Sequence, residues 1–295
     1  MLRYLIVLCL TFSPPLAHAW NAAGHRLIAV IAWQQLSPAS QASITEALMR
    51  HPDQARWAEK ARSSEGIDLF AEASTWPDDI RHDPRFYDEH REAATPPLPG
   101  LSDTARHKRW HYVDLGPDGK TREGELDRQI ERLSQLLRST AKAEEITYAL
   151  PWLLHLVGDI HQPLHVGRHG DEGGNSVEIE NPRNKRRPFS SLHSYWDDLP
   201  GPPWLRGKRL ALNAAGLRDN FPAPRQATVR QWRDESHQLL STAYPDTAGS
   251  LLPLVTEAFH LQSQAIADQR LVDAGYRLGN LLEKCFSGRV SRETP

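Results

Sequence analysis

Histidine and aspartate side chains occur in five short strings of this 295-residue chain, spread between positions 20 and 197. The strings are WNAAGH at 20–25, STWPDDIR at 74–81, WHYVD at 110–114, HLVGDIHQPLH at 155–165 and HSYWD at 193–197. Imidazole and carboxylate groups are zinc ligands, and each ion takes about four ligands, some shared or supplied by water. A fold that gathers these strings could hold about three zinc ions. This predicts metal-assisted hydrolysis of a phosphate ester.

Two of the strings repeat one spacing. His155 precedes Asp159 by four residues, and His193 precedes Asp197 by four. Side chains four residues apart on a helix lie on the same face. One such pair alone is more often a hydrogen-bonded surface pair than a metal site. With His165 placed just after the Gln-Pro helix stop, two pairs together favour a buried metal centre.

The remaining candidates come from separate segments. Asp78 and His111 can complete a tetrahedral site. Alternatively, Asp78 is only a turn residue and His111 only a hydrogen-bonded core histidine. Trp20 offers a further ligand if proteolysis makes it the N-terminal residue, because its amino group and carbonyl oxygen can chelate one ion.

The first 19 residues are predicted to be a signal peptide. Arg3 precedes an apolar run at 5–12, and Ala-His-Ala at 17–19 is a typical cleavage site. A single mature domain at 20–295 is predicted, and export implies a periplasmic or secreted protein. No later run reaches the ~20 apolar residues that cross a bilayer, so no stable membrane insertion is expected.

The cysteine count and the net charge limit which disulfides and which electrostatic interactions this chain can have. Removal of residues 1–19 takes away Cys9 and leaves Cys285 alone, so no intrachain disulfide is expected. The formal net charge is −2. This balance gives no global basic field for nucleic acid, so metals and a few local cations would have to attract an anionic substrate.

Apolar residues recur at intervals of three and four through most of the chain, which predicts a mainly α fold. Ser37-Pro38 matches a helix N-cap followed by proline. Pro151 predicts a kink or a new helix start just before Trp152. Pro253 is placed in the first turn of the last helix. The predicted helices cover 22–36, 38–49, 123–137, 143–161, 225–243 and 251–286.

One short β-hairpin is predicted, with a strand at 177–179 and its turn at 181–187. Residues 83–103 are predicted to be a surface loop. The basic residues of the turn, Arg183 and 185–187, either follow a phosphate backbone or are simply solvated.

The five strings, in their order, resemble the zinc-dependent single-strand nucleases and 3'-nucleotidases of the nuclease I (S-one/P-one) type. The resemblance extends from Trp20 to about Pro200. It implies a single helical domain of the phospholipase C / nuclease I type with a short β-hairpin, since that family is distantly related in fold to zinc-dependent phospholipase C.

The resemblance also implies three Zn²⁺ ions and their ligands. One ion would be held by Asp78, His111, His155 and Asp159, a second by Trp20, His25 and the shared Asp159, and a third by His165, His193 and Asp197.

Further roles follow from the same resemblance. Asp78, Arg81 and Asp159 would be catalytic, with Arg81 contacting the phosphate and Asp78 orienting the attacking water. A base would stack on Tyr112 and contact Gly174 and Asn175. Asp114 would either hold the Trp20 amine or be an ordinary loop carboxylate.

The implied activity is cleavage of single-stranded RNA and DNA to 5'-mononucleotides and removal of 3'-phosphate from nucleotides. We expect a monomer, and no protein partner is implied. The enzymatic alternative is a phospholipase C acting on phospholipid head groups. A zinc-storage protein is the non-enzymatic alternative, which Arg81 argues against because storage needs no phosphate contact.

Overall fold

The computed structural model describes residues 20–168, 170–247, 249 and 252–287. The predicted signal peptide at 1–19 lies outside the described residues. The described helices are α1 Ala22–Trp33, α2 Pro38–Met49, α3 Gln54–Ala61, α4 Gly66–Ala73, α5 Trp76–Asp79, α6 Leu126–Ser139, α7 Ala143–Asp159, α8 Leu192–Asp198, α9 Gly207–Asn220, α10 Val229–Gln238, α11 Leu240–Ala243 and α12 Glu257–Phe286. None of them is long and apolar enough to cross a membrane.

The strands form two small antiparallel sheets. They are β1 Val113–Leu115 with β2 Thr121–Gly124, and β3 Glu178–Glu180 with β4 Phe189–Ser191. The second pair is the predicted hairpin, with Ile179 opposite Ser190. The first pair was not predicted. Because helices dominate the described residues, the prediction of a mainly α protein is confirmed.

Helix α1 lies in the core, where it packs against α4, α7, α9 and α12. The Asn21 side chain accepts a hydrogen bond from the Ala23 N–H and so caps the helix. The helix ends at Trp33, three residues before the predicted end. Ser37 caps α2 as predicted, and its hydroxyl accepts from the Ser40 N–H.

Helix α7 is almost wholly buried, and α6 packs along it. It continues through Pro151 to Asp159, so the new helix start near Trp152 is not found. Burial explains the continuity, because apolar contacts on all sides stabilise the helix despite the hydrogen bond that proline removes. The helix thereby carries His155 and Asp159 into the middle of the core.

The predicted C-terminal helices differ from the observed ones. The predicted helix at 225–243 is observed as the shorter α10 and α11. The placement of Pro253 in a first helical turn is wrong, because α12 begins at Glu257 after the cap Thr256. The Pro253 carbonyl instead accepts from the Glu180 N–H at 2.9 Å, and the Val255 N–H donates to the Glu180 carbonyl at 2.8 Å. This segment therefore extends the β3–β4 sheet.

The predicted loop at 83–103 is largely irregular and ends near the bridge between Tyr87 and Ala105. In the basic turn, Arg183 forms an ion pair with Glu257. Cys285 is buried, and its thiol donates to the Ser134 carbonyl at 3.7 Å.

Candidate metal centre

Helices α1 and α7 approach closely at His25 and Gly158. A Cβ on Gly158 would lie 2.8 Å from His25 Nδ1, so only glycine leaves room for this imidazole. The His25 ring stacks on the His155 ring with 3.9 Å between centroids. His25 Nε2 lies 3.5 Å from Asp159 Oδ1. The close approach of the two helices thus brings the first and fourth strings together.

The 3₁₀ turn at 108–110 places His111 against the end of α7. His111 Nδ1 lies 3.1 Å from both His155 Nε2 and Asp159 Oδ2. His155 Nε2 lies 3.7 Å from Asp78 Oδ1. Two nitrogens on one tetrahedral zinc at about 2.0–2.1 Å would lie about 3.3 Å apart. The spacing of these atoms therefore suits ligands of shared ions.

A second set lies where the 3₁₀ turn Pro163–His165 meets α8. His165 Nε2 lies 3.1 Å from His193 Nε2, and His193 Nε2 lies 3.6 Å from Asp197 Oδ2. Gln162 donates to Asp197 Oδ1 at 2.9 Å, which orients the carboxylate. We refer to His165, His193 and Asp197 as the second set, and to His25, Asp78, His111, His155 and Asp159 as the first set.

Possible ligand atoms lie within 4.8 Å of one another in three groups. These groups are His25 with Asp78 and His155, His111 with His155 and Asp159, and His165 with His193 and Asp197. All the predicted side-chain ligands are therefore brought together, in two neighbouring sets.

Backbone carbonyls fix the orientation of three imidazoles. The Nδ1 atom of each donates to a carbonyl: His155 to Ser74 at 2.9 Å, His165 to His111 at 2.6 Å and His193 to Gly173 at 2.7 Å. With the proton on Nδ1, Nε2 is a bare acceptor that points into its set. Metal-bound histidines have this outer hydrogen bond, which fixes tautomer and ring orientation.

Several polar atoms of the first set are buried without a hydrogen-bond partner among the described residues. They are both ring nitrogens of His25, Nε2 of His111 and Oδ1 of Asp159. Leaving a buried polar group unpaired costs about 1–3 kcal/mol. Several such atoms facing one another, all of types that bind zinc, fit a metal centre.

Burial also shifts the protonation of most groups in the two sets; at His155 it is outweighed by the Asp159 and Asp78 carboxylates, which raise the pKa. Burial lowers the pKa of His25, His111 and His165 well below the ordinary value and so favours the neutral imidazole. It raises the pKa of Asp159 to about 6 and that of Asp197 well above the ordinary value. Neutral imidazole is the form that binds a metal, while a bound cation favours the carboxylate form of aspartate.

Asp78 and Arg81 lie side by side at the edge of the first set. Asp78 is on α5, and its Oδ1 lies 2.9 Å from Arg81 Nε. The Arg81 side chain is 9% exposed and, like His111, lines a cavity described below. The guanidinium is therefore held between the candidate metal ligands and the cavity.

Trp20 lies directly before α1 and packs back onto its first turn. A Cβ on Gly24 would lie 2.7 Å from Trp20 Cβ. The Asn21 N–H donates to the Asp197 carbonyl at 3.0 Å. The predicted mature N-terminus is thus held between α1, which carries His25, and α8, which carries Asp197.

A cavity of 620 Å³ opens onto both sets of ligands. His111, His165 and His193 line its metal side, and Tyr112 and Asn175 line its walls. Both glycines of the turn are buried, and Gly173 rather than Gly174 lines the cavity. Asp114 on β1 also lines this cavity.

Other cavity residues were missed in the sequence, namely Arg91, Lys108 and Glu123. They belong to none of the ligand strings, and only the unrecognised β1–β2 hairpin would have placed Glu123 there. The role of Gln162 as the donor to Asp197 was also not predicted. Its position between the ligands of the fourth string was the signal that could have indicated it.

The chain matches the S1/P1 nuclease family model over residues 20–287. It is 28% identical to Endonuclease 4 of Arabidopsis thaliana, across 92% of this chain and 91% of that protein. Identity to Endonuclease 2 of the same plant is 24%, across 96% of each. Nuclease S1 of Aspergillus oryzae is 23% identical, across 62% of this chain and 54% of that protein.

The chain therefore belongs to the S1/P1 nuclease family. It is a hydrolytic nuclease, and its substrates are nucleic acids. S1/P1 nucleases are metalloenzymes, in agreement with the two sets of candidate ligands. The predicted family is confirmed.

Proposed function

We propose that this protein is a trinuclear zinc nuclease that cleaves single-stranded RNA and DNA to 5'-mononucleotides and removes 3'-phosphate from nucleotides. The observation that carries the proposal is the grouping of carbonyl-fixed imidazoles with buried carboxylates beside a cavity that His111, His165 and His193 line. The alternative of a phospholipase C is not favoured, since the relatives described above are nucleases.

The nine proposed ligands divide among three ions. Asp78, His111, His155 and Asp159 would hold one zinc, Trp20, His25 and the shared Asp159 a second, and His165, His193 and Asp197 a third. Bound zinc supplies a water nucleophile at neutral pH and positive charge for the phosphate oxygens.

Trp20 serves as a ligand only if its amino group is free. The proposal therefore includes removal of residues 1–19 on export, to the periplasm or outside the cell. Packing of Trp20 onto the first turn of α1 supports it, because that contact holds the backbone of residue 20 close to α1.

Arg81 would bind the phosphate undergoing hydrolysis. Its guanidinium lies beside Asp78 and lines the cavity, so a phosphate that contacts the first set is within its reach. A fixed cation at this position offsets charge that develops on the phosphate oxygens in the transition state. Asp78, held by the same contact, would orient the attacking water.

Single-strand preference has a physical reason in Tyr112. This side chain is half-buried and lines the cavity, so a base that stacks on its ring must leave any duplex. Stacking of a base on an aromatic ring is worth about 1–3 kcal/mol. Asn175 and the neighbouring glycines would form the opposite contact with the base.

Product analysis tests the proposal. Zinc-loaded protein beginning at Trp20 is incubated with a single-stranded oligonucleotide, with its duplex and with a 3'-nucleotide, with and without a chelator. We expect 5'-mononucleotides from the single strand, slower cleavage of the duplex, release of phosphate from the 3'-nucleotide, and no product with the chelator. An intact oligonucleotide in the presence of three bound zinc ions would contradict it.

A further inference from the structure

Tyr112 and Glu123 form a hydrogen-bonded pair on one wall of the cavity. The Tyr112 hydroxyl donates to Glu123 Oε1 at 2.9 Å, and both residues line the cavity. In the described part of the chain, Glu123 has no other side-chain hydrogen bond or ion pair. Its Oε2 remains available to a ligand.

The backbone holds this pair in place. The N–H groups of Glu125 and Leu126 both donate to the Tyr112 carbonyl, at 2.9 and 3.2 Å. Gly124, between Glu123 and Glu125, has φ +79°, and a Cβ there would lie 2.1 Å from the Tyr112 carbonyl oxygen. Only glycine fits this contact. The carboxylate of Glu123 is therefore presented at a fixed position relative to the Tyr112 ring.

A second carboxylate lies beside it. Glu123 is directly opposite Asp114 in the β1–β2 pair, so both side chains lie on the same face of the hairpin. Both line the cavity. Two ionised carboxylates only accept hydrogen bonds, and they repel phosphate. In the cavity of a nuclease, such carboxylates can contribute to substrate binding by accepting hydrogen bonds from donors on a base.

We propose that Glu123 is a specificity-determining residue that accepts a hydrogen bond from the edge of the base stacked on Tyr112, and that it makes the site prefer guanine over uracil. The inference rests on the proposed function, since it needs a base in this cavity. Guanine presents two adjacent donors on its pairing edge, N1–H and the N2 amino group. Uracil presents one ring N–H between two carbonyl acceptors, which carboxylates repel.

The test compares the dinucleotides GpG and UpU in wild-type zinc-loaded protein and in Glu123→Gln. The substitution keeps the size of the side chain and an acceptor for the Tyr112 hydroxyl, but replaces one acceptor with an amide donor. A hydrogen bond to a charged group is worth enough to discriminate about tenfold or more. We expect wild-type kcat/KM to favour GpG by about tenfold or more, and the ratio to approach one in Glu123→Gln.

Glu131→Gln is the matched control, because Glu131 is exposed on α6 and does not line the cavity. It makes the same charge change and is expected to leave the ratio unaltered. A loss confined to overall activity, with the GpG to UpU ratio unchanged in Glu123→Gln, would overturn the inference.

Calorimetric binding of guanosine and uridine separates this inference from the proposed function. Nucleosides carry no phosphate, so their binding does not depend on hydrolysis. We expect guanosine to bind more tightly than uridine, and Glu123→Gln to remove the difference. If neither dinucleotide is cleaved, the proposed function fails while nucleoside binding still decides the role of Glu123. Equal binding of the two nucleosides to wild type would overturn that role.

Discussion

Two largely buried polar clusters lie near the C-terminal end of α7, and their histidines have different hydrogen-bond partners. In the first set, His155 directs Nε2 towards His111 and Asp159, and several neighbouring atoms have no hydrogen-bond partner among the described residues. In the other cluster, both ring nitrogens of His161 are bonded. Its Nδ1 donates to the Val157 carbonyl at 2.7 Å, and its Nε2 accepts from Arg277 at 2.9 Å.

The neighbours of His161 form what we term the arginine cluster, composed of His161, Glu235, Arg270, Asp273 and Arg277. Glu235 accepts from both Arg270 and Arg277, and Arg270 also donates to Asp273 at 3.0 Å. Burial and then the two arginines lower the pKa of His161 well below its ordinary value. The protein itself supplies the positive charge here.

The difference teaches how to separate a structural histidine from a ligand in this fold. His161 and His155 are both buried, and the Nδ1 atom of each is fixed by a backbone carbonyl. What differs is the second nitrogen: an arginine meets it in the arginine cluster, whereas in the first set it meets other imidazoles and carboxylates. We propose that zinc supplies the missing positive charge in the first set.

Asp159→Asn should have the largest effect on activity. The substitution removes a charge from the carboxylate proposed to be shared by two ions, so bound zinc should fall. Metal-derived stabilisation of several kcal/mol corresponds to a rate loss of about 10³-fold or more. Zinc per chain by mass spectrometry and hydrolysis of a single-stranded oligonucleotide measure both effects.

Asp273→Asn is the matched control in the arginine cluster. It should lower the melting temperature but leave the zinc content unchanged. Full zinc occupancy with a normal rate in Asp159→Asn would contradict the proposed ligand.

One extra residue before Trp20 should have the next largest effect. The added peptide bond removes the amine ligand while leaving the fold intact. Zinc per chain should fall by one, and the rate by about 10²-fold or more, on the scale of losing one strong transition-state contact. The same protein beginning at Trp20 is the reference. Equal turnover of the two forms would exclude the chelate.

Of the three proposed zinc ions, Gly173→Ala should weaken only the one held by the second set. Gly173 has φ +60°, and an added Cβ would lie 2.5 Å from the Leu164 carbonyl, so the Gly173 carbonyl that fixes His193 must move. Loss of such an outer partner weakens metal affinity by about 10–100-fold. Competition with a chelator should show a lower affinity for one zinc ion and an unchanged affinity for the other two.

Gly119→Ala serves as the control for backbone strain, since Gly119 has φ +71° but open space around it. Identical zinc affinities in the two glycine variants would show that the Gly173 carbonyl has no influence on the second set.

Arg277→Met should have the smallest effect on activity and a clear one on stability. It removes one of the two arginine partners of Glu235 and the donor to His161 Nε2, at a cost of about 2–4 kcal/mol. Zinc content should stay at the wild-type value, and chemical denaturation should show the lower stability. A loss of zinc as large as in Asp159→Asn would mean that the two clusters are not independent.

Much of this architecture could be predicted because it depends on local patterns. Helical periodicity predicted the mainly α fold, Ser37 was recognised as a cap, and the order of the strings identified the family. The ligand strings were found because a helix places residues four apart on one face, as for His155 and Asp159. Their roles as zinc ligands remain predictions.

What could not be predicted depends on contacts between distant segments. The β1–β2 hairpin has strands of three and four residues, too short for an alternating pattern to identify. Pro253 fits a first helical turn as well as a sheet edge, and only its pairing with Glu180 decides between them. Likewise, His155 and His161 share one string, and the distant Arg277 distinguishes them.

Anomalous X-ray scattering at the zinc edge, from crystals of the protein beginning at Trp20, tests the central claim most directly. We predict three peaks, two within the first set and one within the second, with none at His161. Absence of peaks at these positions in a zinc-loaded crystal would contradict the account, because the converging histidines would then be ordinary hydrogen-bonded core residues.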